Sequence, residues 1–152
     1  MELLNRIEEL EKELLELKEQ VKEQQEFPQS GERYWCINGG GMVNSFFWKS
    51  EQFDLDRYRI GNMFKTEKEA CFAVEKLKVE EELRKFSRPF KHGAKNHTIN
   101  YNHETEMVVN VNATATYQET GSFYFDSYEE VVEAIKSVGE DRIKKYIFGV
   151  ED

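Results

Sequence analysis

The chain has 152 residues, 39% of them hydrophobic and 34% charged, and a net charge of −9 from 30 acidic against 21 basic residues. This is the composition of one ordinary compact domain joined to a charged segment. Its acidic balance argues against direct nucleic-acid binding through a basic face and suits a basic partner surface. No stretch is apolar and long enough to cross a bilayer, and the Glu-rich start lacks the apolar core of a signal peptide, so no membrane partner is expected.

Residues 1–26 hold nine glutamates against four basic residues. Leu3, Ile7, Leu10, Leu14, Leu17 and Val21 recur at alternating spacings of four and three. That is a heptad, with Ile7, Leu14 and Val21 at the first core position and Leu3, Leu10 and Leu17 at the second. The stripe is narrow and its surroundings are charged, which fits a self-association seam better than a helix lying on its own domain. In a parallel pair Arg6 meets the partner's Glu11 and Glu13 meets the partner's Lys18, so a parallel dimer or higher oligomer is expected. Residues 27–33 form a linker, with Pro28 stopping the helix.

The body, residues 34–152, begins with a predicted strand RYWCIN, a Gly39-Gly40-Gly41 turn and a return strand MVNSFFW. The glycines lack the GK[ST] and following helix of a phosphate loop. KSEQFDLDRYRIGNMF reads as irregular. Thr66 and Glu69 then mark a helix start, and Ala70, Ala73, Val74, Leu77 and Leu83 give it one apolar stripe closed by Phe86. Strands are predicted at His97–Asn102, Met107–Thr116 and Ser122–Phe125. In the second, Val109, Val111, Ala113 and Ala115 alternate with Asn110, Asn112, Thr114 and Thr116. Ser127 and Glu130 open a further helix, Gly139 interrupts it, and EDRIKKYIFG forms a last short one.

Aligning Phe64 with Phe125 brings Thr66 onto Ser127, Glu69 onto Glu130, Ala73 onto Ala134 and Leu77 onto Val138. The body thus reads as two ββα-type half-repeats, about 34–90 and 97–150. The fold class expected is α+β, a coiled-coil helix followed by a small antiparallel sheet with helices on one face.

Chemistry is sparse. His92, His97 and His103 have no metal-type spacing, and HETE lacks the second histidine of a zinc motif. Cys36 and Cys71 form no CxxC pair and read as buried thiols in a reducing compartment. Asp54 and Asp56 are the most suggestive carboxylate pair. No nucleophile elbow is present. No catalytic residue, metal or cofactor is expected, and an enzyme is the weakest reading. Aromatic density is the unusual feature. Phe46, Phe47 and Trp48 are consecutive, so a strand cannot bury all three on one face. Trp35, Phe47, Trp48, Arg57, Tyr58, Arg59 and Asn62 are the candidate ligand- or partner-binding residues. Rings that stack on a base and guanidinium groups that hold phosphate would suit a nucleotide-like ligand.

RYWCIN, FDLDRYRIGNMFKTEKEACFAVEKLK and FDSYEEVVEAIKSVGEDRIKKYIFGV resemble small accessory proteins of phages and prophages of Gram-positive bacteria, which pair a Glu/Lys-rich coiled coil with such a body. The resemblance covers nearly the whole chain and carries no established activity. It implies a phage protein in the cytoplasm of the infected host. The expected function is non-enzymatic inhibition of a host defence system, by blocking a defence protein or sequestering a small nucleotide signal. The alternative is a structural adaptor in phage replication or assembly.

Overall fold

The computed structural model describes residues 1–24, 26–113 and 115–151, with Ala113 described by its backbone. The architecture is α+β. In chain order the elements are α1 (Glu2–Gln24), β1 (Arg33–Ile37), β2 (Val43–Phe47), α2 (Gln52–Arg59), α3 (Glu67–Phe86), β3 (Asn96–Asn102), β4 (Met107–Ala113), β5 (Tyr124–Phe125), α4 (Tyr128–Val138) and α5 (Glu140–Tyr146). Two compact units divide the chain, Met1–Glu67 and Lys68–Asp152.

In the first unit α1 runs for 23 residues and buries none of them. β1 and β2 pair antiparallel, with Tyr34 opposite Phe46 and Cys36 opposite Asn44. The turn is organised by Asn38, whose Oδ1 accepts from the N–H groups of Gly40 at 2.9 Å and Met42 at 3.0 Å. Gly41 takes the positive φ of 77° that an L side chain resists. The outer edge of β1 is filled twice. Trp35 and Phe64 exchange backbone hydrogen bonds at 3.0 and 2.9 Å. Asn62 donates to Ile37 O and accepts from Ile37 N, both at 2.7 Å, so its side chain imitates a strand.

The segment expected to be irregular is helical over Gln52–Arg59. Its start is stabilised by Asp54, which accepts from the N–H of Glu51 at 3.2 Å and so satisfies a donor at the helix entrance.

The second unit is a three-stranded antiparallel sheet of order β4-β3-β5, with helices on one face. Val79, Leu83, Ile99, Val108, Phe125, Val131, Ala134, Val138 and Ile143 form its buried core. Each large side chain there contributes about 1.5–3 kcal/mol of transfer free energy. Ser127 caps α4, its Oγ accepting from Glu130 N at 3.2 Å, while the Glu130 carboxylate accepts from Asp126 N at 3.0 Å. Arg142 donates to Glu82 at 2.7 and 3.0 Å, tying α5 to α3. Asn102 orders the HETE turn by accepting from Glu104 N at 2.9 Å.

Where one small antiparallel sheet was expected there are two. In β4 Val109 and Val111 share one sheet face, as their alternation implies; that face is half-buried, and Val108 enters the core from the other, beside Tyr101. The strand ends at Ala113 rather than at the expected Thr116, and Thr114 lies outside the described residues. Helix α3 has no single stripe. Leu77 is 53% exposed while Val79 and Leu83 are buried, because Leu83 follows Leu77 by six residues and falls on another side of the helix. Cys36 is buried, but Cys71 is exposed on α3.

Candidate functional site

The first unit holds a buried polar cluster under an aromatic surface. Tyr34 and Asp54 are both fully buried. Tyr34 points there because alternate residues of β1 face α2, and Asp54 because it begins the helix against the hairpin. The Tyr34 hydroxyl donates to Asp54 Oδ1 and accepts from Arg57 Nη1 at 2.9 Å. The second carboxylate oxygen accepts from Lys49 N at 3.1 Å and Glu51 N at 3.2 Å. Arg57 is also gripped by rings, its guanidinium carbon lying 4.2 Å from the centroid of Phe46 and 5.0 Å from that of Phe53.

These contacts set the titration of the cluster. Burial, then the Asp54 carboxylate, pushes the Tyr34 hydroxyl up to about 12, against the pull of Arg57. Burial opposes charge on Asp54, but the donors Tyr34, Lys49 N and Glu51 N, with Arg57, outweigh it and hold the carboxyl below its ordinary value. Burial also raises the Cys36 thiol, away from reactivity. Asp54 is thus an ionised anchor with both oxygens occupied. Asp56 is separate and exposed, accepting from Gln52 Nε2 at 2.9 Å and lying 3.8 Å from Arg59.

The sequence-selected residues fall on two sides of the hairpin. Trp48 lies with Tyr34 and Tyr58, at ring separations of 6.4 and 6.2 Å. Arg57 and Tyr58 share that side. Trp35 and Phe47 occupy the opposite face, where the guanidinium of Arg33 covers Trp35 at 4.8 Å and Phe47 is exposed. Arg59 projects to solvent beside Asp56, and Asn62 is committed to Ile37. Trp48, Arg57 and Tyr58 are therefore brought together, and Trp35 and Phe47 are not part of that group.

Helix α2 is inverted. It buries Asp54 and half-buries Arg57, yet leaves Phe53 at 45%, Leu55 at 38% and Tyr58 at 57% exposed, with Ile60 at 76% just beyond its end. The helix thus turns polar side chains inward and leaves large apolar ones exposed. Phe53, Leu55 and Ile60 belong to this surface and were not singled out from sequence. The available signal was Asp54 and Arg57, three residues apart and so on one helix face, with Phe53 and Leu55 pointing elsewhere.

Among the described residues no helix is long and apolar enough to cross a membrane, and no group of three His, Cys, Asp or Glu side chains could hold a metal ion. No protein-family model, curated protein or solved structure matches the chain.

Proposed function

We propose that this chain is a non-enzymatic binding protein that self-associates through α1 and presents the aromatic surface around α2 to a protein partner. The observation that carries the reading is the bare seam. Leu3, Ile7, Leu10, Leu14, Leu17 and Val21 are each between 47% and 81% exposed. A heptad seam is covered by a second copy of itself, with Arg6–Glu11 and Glu13–Lys18 pairs across a parallel interface biasing the orientation. Self-association multiplies the α2 surface and raises its avidity for a repeated or oligomeric target.

A protein target is better supported than a nucleotide. Arg57, the guanidinium best placed to hold a phosphate, is already engaged by Tyr34 and two rings, whereas Phe53, Tyr58 and Ile60 lie open. With the resemblance to phage accessory proteins, the reading becomes inhibition of a host defence protein by occupying its surface. The test is capture from infected cells with the intact chain and with Ile60→Asp. The reading predicts one stoichiometric host protein that the variant fails to retain. Equal capture by both, or a small molecule in place of a protein, would refute it.

We infer further that the body is built from two related half-repeats, about 34–90 and 97–150, which do not coincide with the two compact units because the first takes its helix, α3, from the second unit. In each, a hairpin's first strand carries on its outer edge a short antiparallel partner ending in Phe: Phe64 on Trp35, and Phe125 on His97. Two residues later comes Thr66 or Ser127, then a helix. This reading requires the Phe64 and Phe125 amides to resist exchange alike. A freely exchanging Phe64 amide would remove it.

A further inference from the structure

Both sheets end in an edge strand, and the two edges are treated differently. In the second unit the outward N–H of Val108 on β4 is taken by Glu140 Oε1 at 3.0 Å. A carboxylate at that place closes part of the edge and repels an incoming strand. In the first unit β2 is the edge. The hydrogen bonds Asn38 N to Met42 O at 2.8 Å and Trp48 N to Glu32 O at 2.8 Å fix which residues face β1. By the alternation of an antiparallel ladder, Asn44 and Phe46 also turn their backbone groups to β1. Val43, Ser45 and Phe47 turn theirs outward, and among the described residues nothing pairs with them. VNSFF contains no charge and no proline, the usual guards of an edge. Phe47 stands 59% exposed on it.

We propose that this edge is completed by β2 of a second copy, antiparallel about Ser45. The strand is self-complementary in that register. Val43 falls opposite the partner's Phe47, Ser45 opposite Ser45, and Phe47 opposite the partner's Val43. Each of the three outward residues then donates one backbone bond and accepts one; the two outer pairs are apolar with apolar and the central pair is hydroxyl with hydroxyl. Two copies of an acidic chain meet here through an uncharged segment, so pairing places no like charges opposite each other. The union also extends a two-stranded hairpin, which is marginal by itself, into one continuous sheet. The proposal rests on the self-association reading, since α1 supplies the second copy at high effective concentration.

The test is residue-resolved amide exchange on the full chain at a concentration where it is assembled, compared with Phe47→Lys and with the seam variant Leu10→Glu/Leu14→Glu. The proposal predicts that the Ser45 and Phe47 amides exchange at least about tenfold faster in either variant. The inward amides of Asn44 and Phe46 should keep their protection, which shows that the hairpin remains folded. Rapid exchange of Ser45 and Phe47 in an assembled, seam-dependent wild type would overturn the edge pairing and leave the α1 reading standing. A wild type monomeric at every concentration would overturn both. Protection that arises only when another protein is added would overturn the second-copy assignment in favour of an extended peptide on the same edge.

Discussion

Replacing Asp54 with Ala should remove the anchor of the first unit. The carboxylate is fully buried and accepts from the Tyr34 hydroxyl and from the N–H groups of Lys49 and Glu51. The substitution orphans those donors and leaves the Arg57 guanidinium, among the described residues, with the Tyr34 oxygen and two ring faces. Hydrogen bonds to a charged group contribute about 1.5–3 kcal/mol each, and breaking a buried charge pair from one side costs about 3–5 kcal/mol. The expected loss is therefore about 4 kcal/mol, against about 5–15 kcal/mol for a whole domain. The assay is urea unfolding followed by tryptophan fluorescence. The chain's two tryptophans, Trp35 and Trp48, both lie in the first unit, so fluorescence reports that unit selectively. Circular dichroism at 222 nm follows the helices of both units and serves as the comparison. Asp56→Ala, exposed and two residues away, should shift the midpoint by less than about 0.5 kcal/mol. A fluorescence midpoint for Asp54→Ala equal to that of Asp56→Ala would refute the anchor role.

The same cluster gives a pH dependence with two limits. Asp54 has a folded pKa below its ordinary 3.8, so its contribution is present above about pH 4 and is lost as the pH falls through the folded value. Tyr34 has a folded pKa raised from 10.0 to about 12, so its contribution is present below about pH 10 and is lost as the pH rises towards 12. Fluorescence-detected stability should fall at both ends, and Tyr34→Phe should flatten the alkaline one. In the second unit, Ile143→Ala removes a fully buried side chain from the core and should cost about 2–5 kcal/mol. That loss should be read by circular dichroism, with the tryptophan transition kept near its wild-type midpoint. Ser127→Ala deletes the α4 cap and should cost about 1 kcal/mol, measured the same way.

The regular parts of the chain were legible for a physical reason: local signals agreed with tertiary burial. The β1–β2 hairpin was announced by its glycines, and α4 by Ser127, Glu130 and a stripe at Val131, Ala134 and Val138, all of which are buried. Helix α2 was not legible, because its inward residues are Asp54 and Arg57, and a reading that seeks apolar periodicity finds none. The edge role of Phe64 was missed as a strand because a one-residue bridge has no pattern. The alternation in β4 showed which residues share a face but not which face is the core, because both sheet faces are partly covered. The candidate site was half legible. Trp48, Arg57 and Tyr58 do converge, but Arg57 acts as a clamp inside the unit. The surface's most exposed member, Ile60, carried no signal except its neighbourhood.

The central claim is that α1 joins copies of this chain. It is tested most directly by sedimentation equilibrium of the intact chain and of Leu10→Glu/Leu14→Glu over a wide concentration range. The predicted result is a dimer or higher oligomer for the wild type and a monomer for the variant, with the inward amides of Asn44 and Phe46 still protected in both. A wild type that stays monomeric throughout, or a variant that associates as strongly as the wild type, would contradict it.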